Sequence, residues 1–257
     1  MRQTIRVLSW IIKLFWIIIL VLPITVSFSL TKLLEARAIE LKEPTASFSN
    51  GTFHLSFPFH FNNTGFYDVS DINVTITAMH GEKKLATFSN VFPKVAPGTT
   101  LDTSYNASIT LERIAQEDRE ILTNDAEINT EVSAFFRVAY ILGFKASLNV
   151  TMPWGAPFYN LSVSEVQYNP QNQLLLAIVS FENHFKSQIG GTMLLELYNS
   201  QNESLGSKAE LIVAAPGLQI VSFEITVADP PKVTKEGFFR IVFENVLISE
   251  GVWEIVG

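Results

Sequence analysis

The sequence predicts an all-β protein: two tandem immunoglobulin-like antiparallel β-sandwiches preceded by one N-terminal transmembrane helix. Three observations predict it. Residues 14–31 carry no charge. Beyond Pro44 the apolar residues recur at every second position, the period of a half-buried strand. An order of strands and turns in the first half also returns in the second.

The N-terminal elements follow from charge and length. Eighteen uncharged residues in a helix rise about 27 Å at ~1.5 Å each, nearly the roughly 30 Å core of a bilayer. Arg2, Arg6 and Lys13 precede the run, Lys32 follows it, and no acidic residue occurs in the first 30 positions. Basic flanks stay cytoplasmic, so residues 1–13 are expected inside, 14–31 in the membrane and the bulk of the chain outside, a single-pass arrangement. A cleaved signal peptide is the competing reading, with Ser27-x-Ser29 or Ala36-x-Ala38 as the cleavage site. Its apolar centre spans only about 7–15 residues, so a retained anchor is expected. Residues 32–44 have Leu33, Leu34, Ala38 and Leu41 at helical spacing, and they predict a helical stalk that Pro44 ends.

The remainder alternates. Ile72, Val74, Ile76 and Ala78 interleave with Asn73, Thr75 and Thr77; Tyr105, Ala107 and Ile109 with Asn106 and Ser108; Phe144, Ala146, Leu148 and Val150 with Lys145, Ser147 and Asn149. Each such strand has one apolar and one polar face, and two sheets with one apolar face each bury them against one another. Between these strands, Leu111, Ile114, Ala115, Ile121 and Leu122 form one helical stripe, which predicts an inserted helix near 111–124 packed over an open end of the first sandwich. Ala-Pro-Gly occurs at 96–98 and at 215–217, and an Asn break at Asn62-Asn63 and at Asn183. Two sandwiches are therefore expected, over 45–155 and 156–257, with the seam near 153–157.

Composition narrows the chemistry. The three basic residues before the helix leave the rest of the chain with a net charge of −10, since all 25 acidic residues and 15 of the 18 basic ones lie beyond them. Nucleic acid, held by Lys and Arg on phosphates, is not an expected partner. With no cysteine, thiolate nucleophiles, zinc–thiolate sites and disulfides are excluded. No Gly-x-Ser-x-Gly elbow, phosphate-binding Gly loop or His-Glu-x-x-His helix occurs. His54 and His60 share a strand face if Pro58 does not break the strand; His80 and His184 have no partner discernible in the sequence. Glu117, Asp118 and Glu120 read as the solvated side of the helix. No catalytic residue, metal ligand or cofactor is expected.

Seven N-x-Ser/Thr sequons, at Asn50, Asn62, Asn73, Asn106, Asn149, Asn160 and Asn202, are candidate glycosylation sites. Alternation alone accounts for several, because a polar strand face favours Asn and Thr two apart. The 20 Phe fit core positions, where each ring buries much apolar area; splayed sheets lined with Phe would instead enclose an acyl chain.

The order strand, Asn-rich break, long hairpin, Pro-Gly turn and return strand resembles the late embryogenesis abundant group 2 family, or water-stress and hypersensitive-response (WHy) domain. Residues 57–63, 71–79, 84–88, 95–98, 104–111 and 134–150 carry the resemblance, with Asn62-Asn63-Thr64 where many members have Asn-Pro-Asn. The resemblance implies a seven-stranded sandwich, a single N-terminal tether, and stress-protective, membrane-proximal or lipid-binding roles without catalysis. The expected function is thus a membrane-anchored, extracytoplasmic, non-catalytic interaction or envelope-structural protein, its partners being the membrane and a lipid or envelope protein. A lipid-binding or lipid-transfer module is the alternative, and an adhesin or filament subunit joined through sheet edges is a further one.

Overall fold

A computed structural model of the chain describes residues 2–35, 39–41 and 45–256, with side chains described for 10–33 and 45–256. It begins with one helix, α1 (Arg2–Glu35), which runs through Pro23. The first group of strands is β1 (Ile39–Leu41), β2 (Thr45–Ser49), β3 (Thr52–Asn62), β4 (Val69–His80), β5 (Lys83–Phe92) and β6 (Thr100–Thr110). Helix α2 (Leu111–Asp118) and a 3-10 turn, Arg119–Leu122, lead into β7 (Ala126–Val138) and β8 (Leu142–Trp154). The second group is β9 (Tyr159–Asn169), β10 (Leu174–Asn183), β11 (Ile189–Asn199), β12 (Ser204–Ala214), β13 (Gly217–Thr226), β14 (Glu236–Phe243) and β15 (Val246–Glu254).

These strands form four antiparallel sheets. In the first pair, β3 lies between β6 on one side and the short strands β1 and β2 on the other, facing the order β5-β4-β7-β8. The second pair repeats this order, as β9-β10-β13 and β12-β11-β14-β15, with the single strand β9 where the first pair has β1 and β2. The predicted alternation appears directly in the burial: along β10, Leu175, Ala177, Val179 and Phe181 are buried at every second position.

Pro58 does not break β3. Ser49 faces Thr52 across a two-residue turn, which aims the N–H of even-numbered β3 residues toward the β2 side. Pro58 falls between the part of β3 paired with β2, ending at Ser56, and the part paired with β1, starting at Phe59. Its missing donor therefore falls between those two paired stretches on the outer side of β3, an edge position where proline is tolerated.

Two expectations need correction. The stalk over 32–44 is helical only to Glu35; Ile39–Leu41 is a strand paired with Phe59–Phe61, and 36–38 and 42–44 lie outside the described residues. Ile39-Glu40-Leu41 also fits a period of two, and the unpaired half of the β3 edge supplies backbone partners that a free stalk would lack. The inner face of β8 is also not covered. Leu148 and Val150, opposite Val132 and Thr130, are 57% and 39% exposed, because among the described residues no strand closes over β8. In the second pair, a parallel bridge between Val166 and Ile255 joins the corresponding edges, and Trp253 is buried there.

The inserted helix is present, capped by the Thr110 side chain, which accepts from Arg113 N at 3.2 Å. Its stripe does more than plug one end. Leu111, Ile114, Ile121 and Leu122 share one continuous core with Phe158, Phe181, Phe243 and other residues of the second sandwich. The connector is pinned too: Trp154 Nε1 donates to Ile121 O, Phe158 N to Leu122 O and His184 N to Ala156 O. A second core, from Phe61, Ile72, Ile76, Phe92 and Val138, fills the opposite end of the first sandwich and includes Val26 and Leu33 of α1.

Candidate functional site at the helix and sandwich junction

The site is built around a buried asparagine. Asn63 is fully buried in the loop after β3; its Nδ2 donates to Tyr67 O and Val95 O, and its Oδ1 accepts from Gly65 N. Asn183, 120 positions later, makes the same three bonds with Ser187 O, Ala214 O and Phe185 N. The two copies therefore align through Asn63, not Asn62, which is only half-buried. The discernible signal was the shared Phe two residues earlier, Phe61 and Phe181.

The rigid loop grips α1. Leu22, Thr25, Val26, Ser29 and Leu33 lie on one helical face, and Val26, Ser29 and Leu33 are buried. Thr25 Oγ1 and Tyr67 Oη hydrogen-bond at 2.7 Å, Phe66 N donates to Ser29 Oγ at 2.8 Å, and Thr64 Oγ1 donates to Lys32 O at 3.2 Å. Gly65 is required by this approach, since any Cβ there would collide with Ser29 Oγ. Further along the helix, Thr31 Oγ1 donates back to Ser27 O at 2.9 Å.

Around the grip lies an exposed rim. Phe28 stacks on Phe66 at 6.0 Å between ring centres, and Lys32 Nζ sits 5.0 Å from the Phe66 ring. Asp68 accepts from Tyr140 Oη at 2.8 Å and pairs with Lys94 at 3.3 Å; the Tyr140 hydrogen bond, with Lys94, holds its carboxyl below the usual value. Phe66, Tyr140 and Ile141 are each more than half exposed. From Trp10 to Val21, described large side chains of α1 point outward, and the apolar stretch Trp10–Leu33 is long enough to cross a membrane. Of the flanking cations, Lys13 is exposed, Lys32 belongs to the rim, and the side chains of Arg2 and Arg6 lie outside the described residues.

The histidines all find partners. His54 meets Ser108 and His60 meets Asp102 across the β3–β6 ladder. His80 and Lys83 both bind Asp118, which corrects the reading of that residue as solvated: it is 3% exposed, because the end of α2 packs on the β4–β5 turn. Burial opposes its ionisation, yet the His80 and Lys83 hydrogen bonds hold its carboxyl below the usual value. His184 sits between Asp125 on Nδ1 (2.8 Å) and Glu182 on Nε2 (3.1 Å), the two together raising its pKa. These carboxylates occupy opposite ring edges, and among the described residues no three such groups converge on a metal-sized site.

Of the sequon asparagines, Asn50, Asn106, Asn149, Asn160 and Asn202 are exposed and Asn62 and Asn73 half-buried. Asn50, Asn160 and Asn202 have φ of 49°, 53° and 62°, a conformation that Asn tolerates better than most residues.

No protein-family model and no curated protein matches the chain. Among solved structures, a transglutaminase of red sea bream is similar over 85% of this chain and 31% of that one, with 14% identity and a TM-score of 0.30. The aligned part spans about a third of that enzyme's length.

Proposed function

We propose that this chain is a membrane-anchored, non-catalytic interaction or envelope-structural protein, with its N-terminus cytoplasmic and its paired sandwiches on the outer face. The observation that carries the reading is the division of α1 into two halves. One half presents apolar side chains outward; the other is built into the first sandwich by Val26, Ser29 and Leu33. Such a helix is a rigid mount for the β body, whereas a cleaved leader has no need of the Thr25–Tyr67 and Ser29–Phe66 bonds. Protease added to sealed cells expressing the C-terminally tagged chain is expected to remove the tag. A tag that survives until the cells are opened would sink this topology.

A second reading, a lipid-binding or lipid-transfer module, has its own observation. The first sandwich leaves Leu148 and Val150 of β8 exposed on its inner face, and beside them on β7 the buried Thr130 hydroxyl has no partner among the described residues. The second sandwich is instead filled by Phe158, Phe181, Phe223, Phe243 and Met193, all at 1% exposure or less. Native mass spectrometry of the full chain released from detergent tests it: a retained lipid is expected, and a bare mass removes the idea.

A further inference from the structure

The length of α1 does not match the depth at which the sandwich grips it. Residues 14–24, between Lys13 and the Thr25–Tyr67 bond, rise about 16 Å at ~1.5 Å each, roughly half of a ~30 Å hydrocarbon core. Upward reach of the Lys13 ammonium adds about one turn, ~5 Å. The remaining thickness has to be crossed by helix that the first sandwich already holds, so the loop and turn touching that helix share its depth.

From this mismatch we infer that the Phe66 loop and the Tyr140–Ile141 turn form a seat on the bilayer itself, lodged in the headgroup zone around the exit of α1. This inference rests on the reading of α1 as a membrane span. The rim has a composition that such a zone favours: one ring with a polar edge, Tyr140, apolar groups beside it in Phe28, Phe66 and Ile141, and cations near them. Phe28, Phe66, Tyr140 and Ile141 are each more than half exposed, and water gives no reason for four large apolar groups to gather on one end. Lys32 caps the Phe28–Phe66 stack, and Lys94 lies 5.8 Å from the Tyr140 ring, so both ammonium groups stand where lipid phosphates would be. Asp68, the acidic residue among them, is matched by Lys94 and Tyr140. Much of the loop backbone is already paired, through Asn63 Nδ2 to Tyr67 O, Asn63 N to Thr99 O, Phe66 N to Ser29 Oγ and Val69 N to Val95 O, which lowers the cost of moving it toward lipid. Anchored at the helix and seated on the rim, the β body stands in a fixed orientation rather than swinging on a tether.

Because the chain has no cysteine, single labels can be placed at will. Nitroxide would be attached to Ile141→Cys, to Ile17→Cys in α1 and to Leu211→Cys on β12, in full-length protein reconstituted into phosphatidylcholine vesicles containing a fifth phosphatidylglycerol. Relaxation by oxygen against relaxation by a soluble nickel chelate reports depth. The label at 141 is expected to show an oxygen-to-nickel ratio several-fold above that at 211, with the label at 17 higher still. Equal ratios at 141 and 211, with 17 deep, would overturn the seat and leave the anchor standing. A water-exposed label at 17 would overturn both. A fourth label, at Val91→Cys, exposed on β5, guards against a local disturbance at 141: it is expected to stay aqueous.

Discussion

At the scale of single residues, the buried asparagines do the most with the least. Asn63 satisfies three backbone groups that would otherwise be orphaned in a loop under two packed sheets. An unpaired buried polar group costs about 1–3 kcal/mol, so Asn63→Ala is expected to destabilise the chain by about 2–3 kcal/mol and to loosen α1 as well. Asn62→Ala, one position away and half-buried, should change stability by no more than about 0.5 kcal/mol. Urea denaturation of both variants in detergent checks the pair; equal effects would refute the alignment of the copies through Asn63. The sequence offered two adjacent asparagines and no means of ranking them, because only the folded loop decides which side chain turns inward.

Among the elements, α2 is where prediction and structure differ most usefully. Its stripe was legible from apolar spacing, yet its acidic side was misread. Asp118 ends the helix, where a negative charge opposes the helix dipole, and it is tolerated because His80 and Lys83 converge on it from the β4–β5 turn. Asp118→Asn is expected to cost about 1–3 kcal/mol, whereas Glu117→Gln, which breaks only a surface pair with Arg113, should cost less than about 1 kcal/mol. The midpoint of chemical unfolding distinguishes them. Strand β8 teaches the complementary lesson. Its alternation predicts one apolar face, but alternation cannot say whether a partner strand covers that face, and among the described residues none does.

For the whole molecule, the junction of the two sandwiches is the load path. Leu122, 0% exposed, belongs to the core that runs into the second sandwich, and Leu122→Ala is expected to cost about 2–5 kcal/mol. Calorimetry of this variant should lower the second sandwich's melting along with the first, and an unchanged second sandwich would contradict a shared core. The junction is also pH-dependent. Asp125, which burial alone would push up, is held below 3.8 by the Ala156 N–H and by His184, so its contribution is present above 3.8 and lost as pH falls through that lower value. His184 is raised above 6.5 by Asp125 and Glu182, so its contribution is full below 6.5 and lost as pH rises through its folded value. Stability of the junction should therefore be greatest between about pH 4 and 6.5, and His184→Gln should flatten the alkaline side of the profile. Thermal unfolding across pH 3–9 reads both limbs.

Sequence alone determined the apolar helix, the two-residue period, the inserted helix and the return of one strand order, since each is a local or periodic property of the chain. It did not determine the grip of Thr25 and Ser29 on the Asn63 loop, the burial of Asp118, the pairing of His184 or the open flank of β8. Each of those joins residues tens of positions apart, and only the tertiary arrangement brings such groups together and decides which faces remain uncovered.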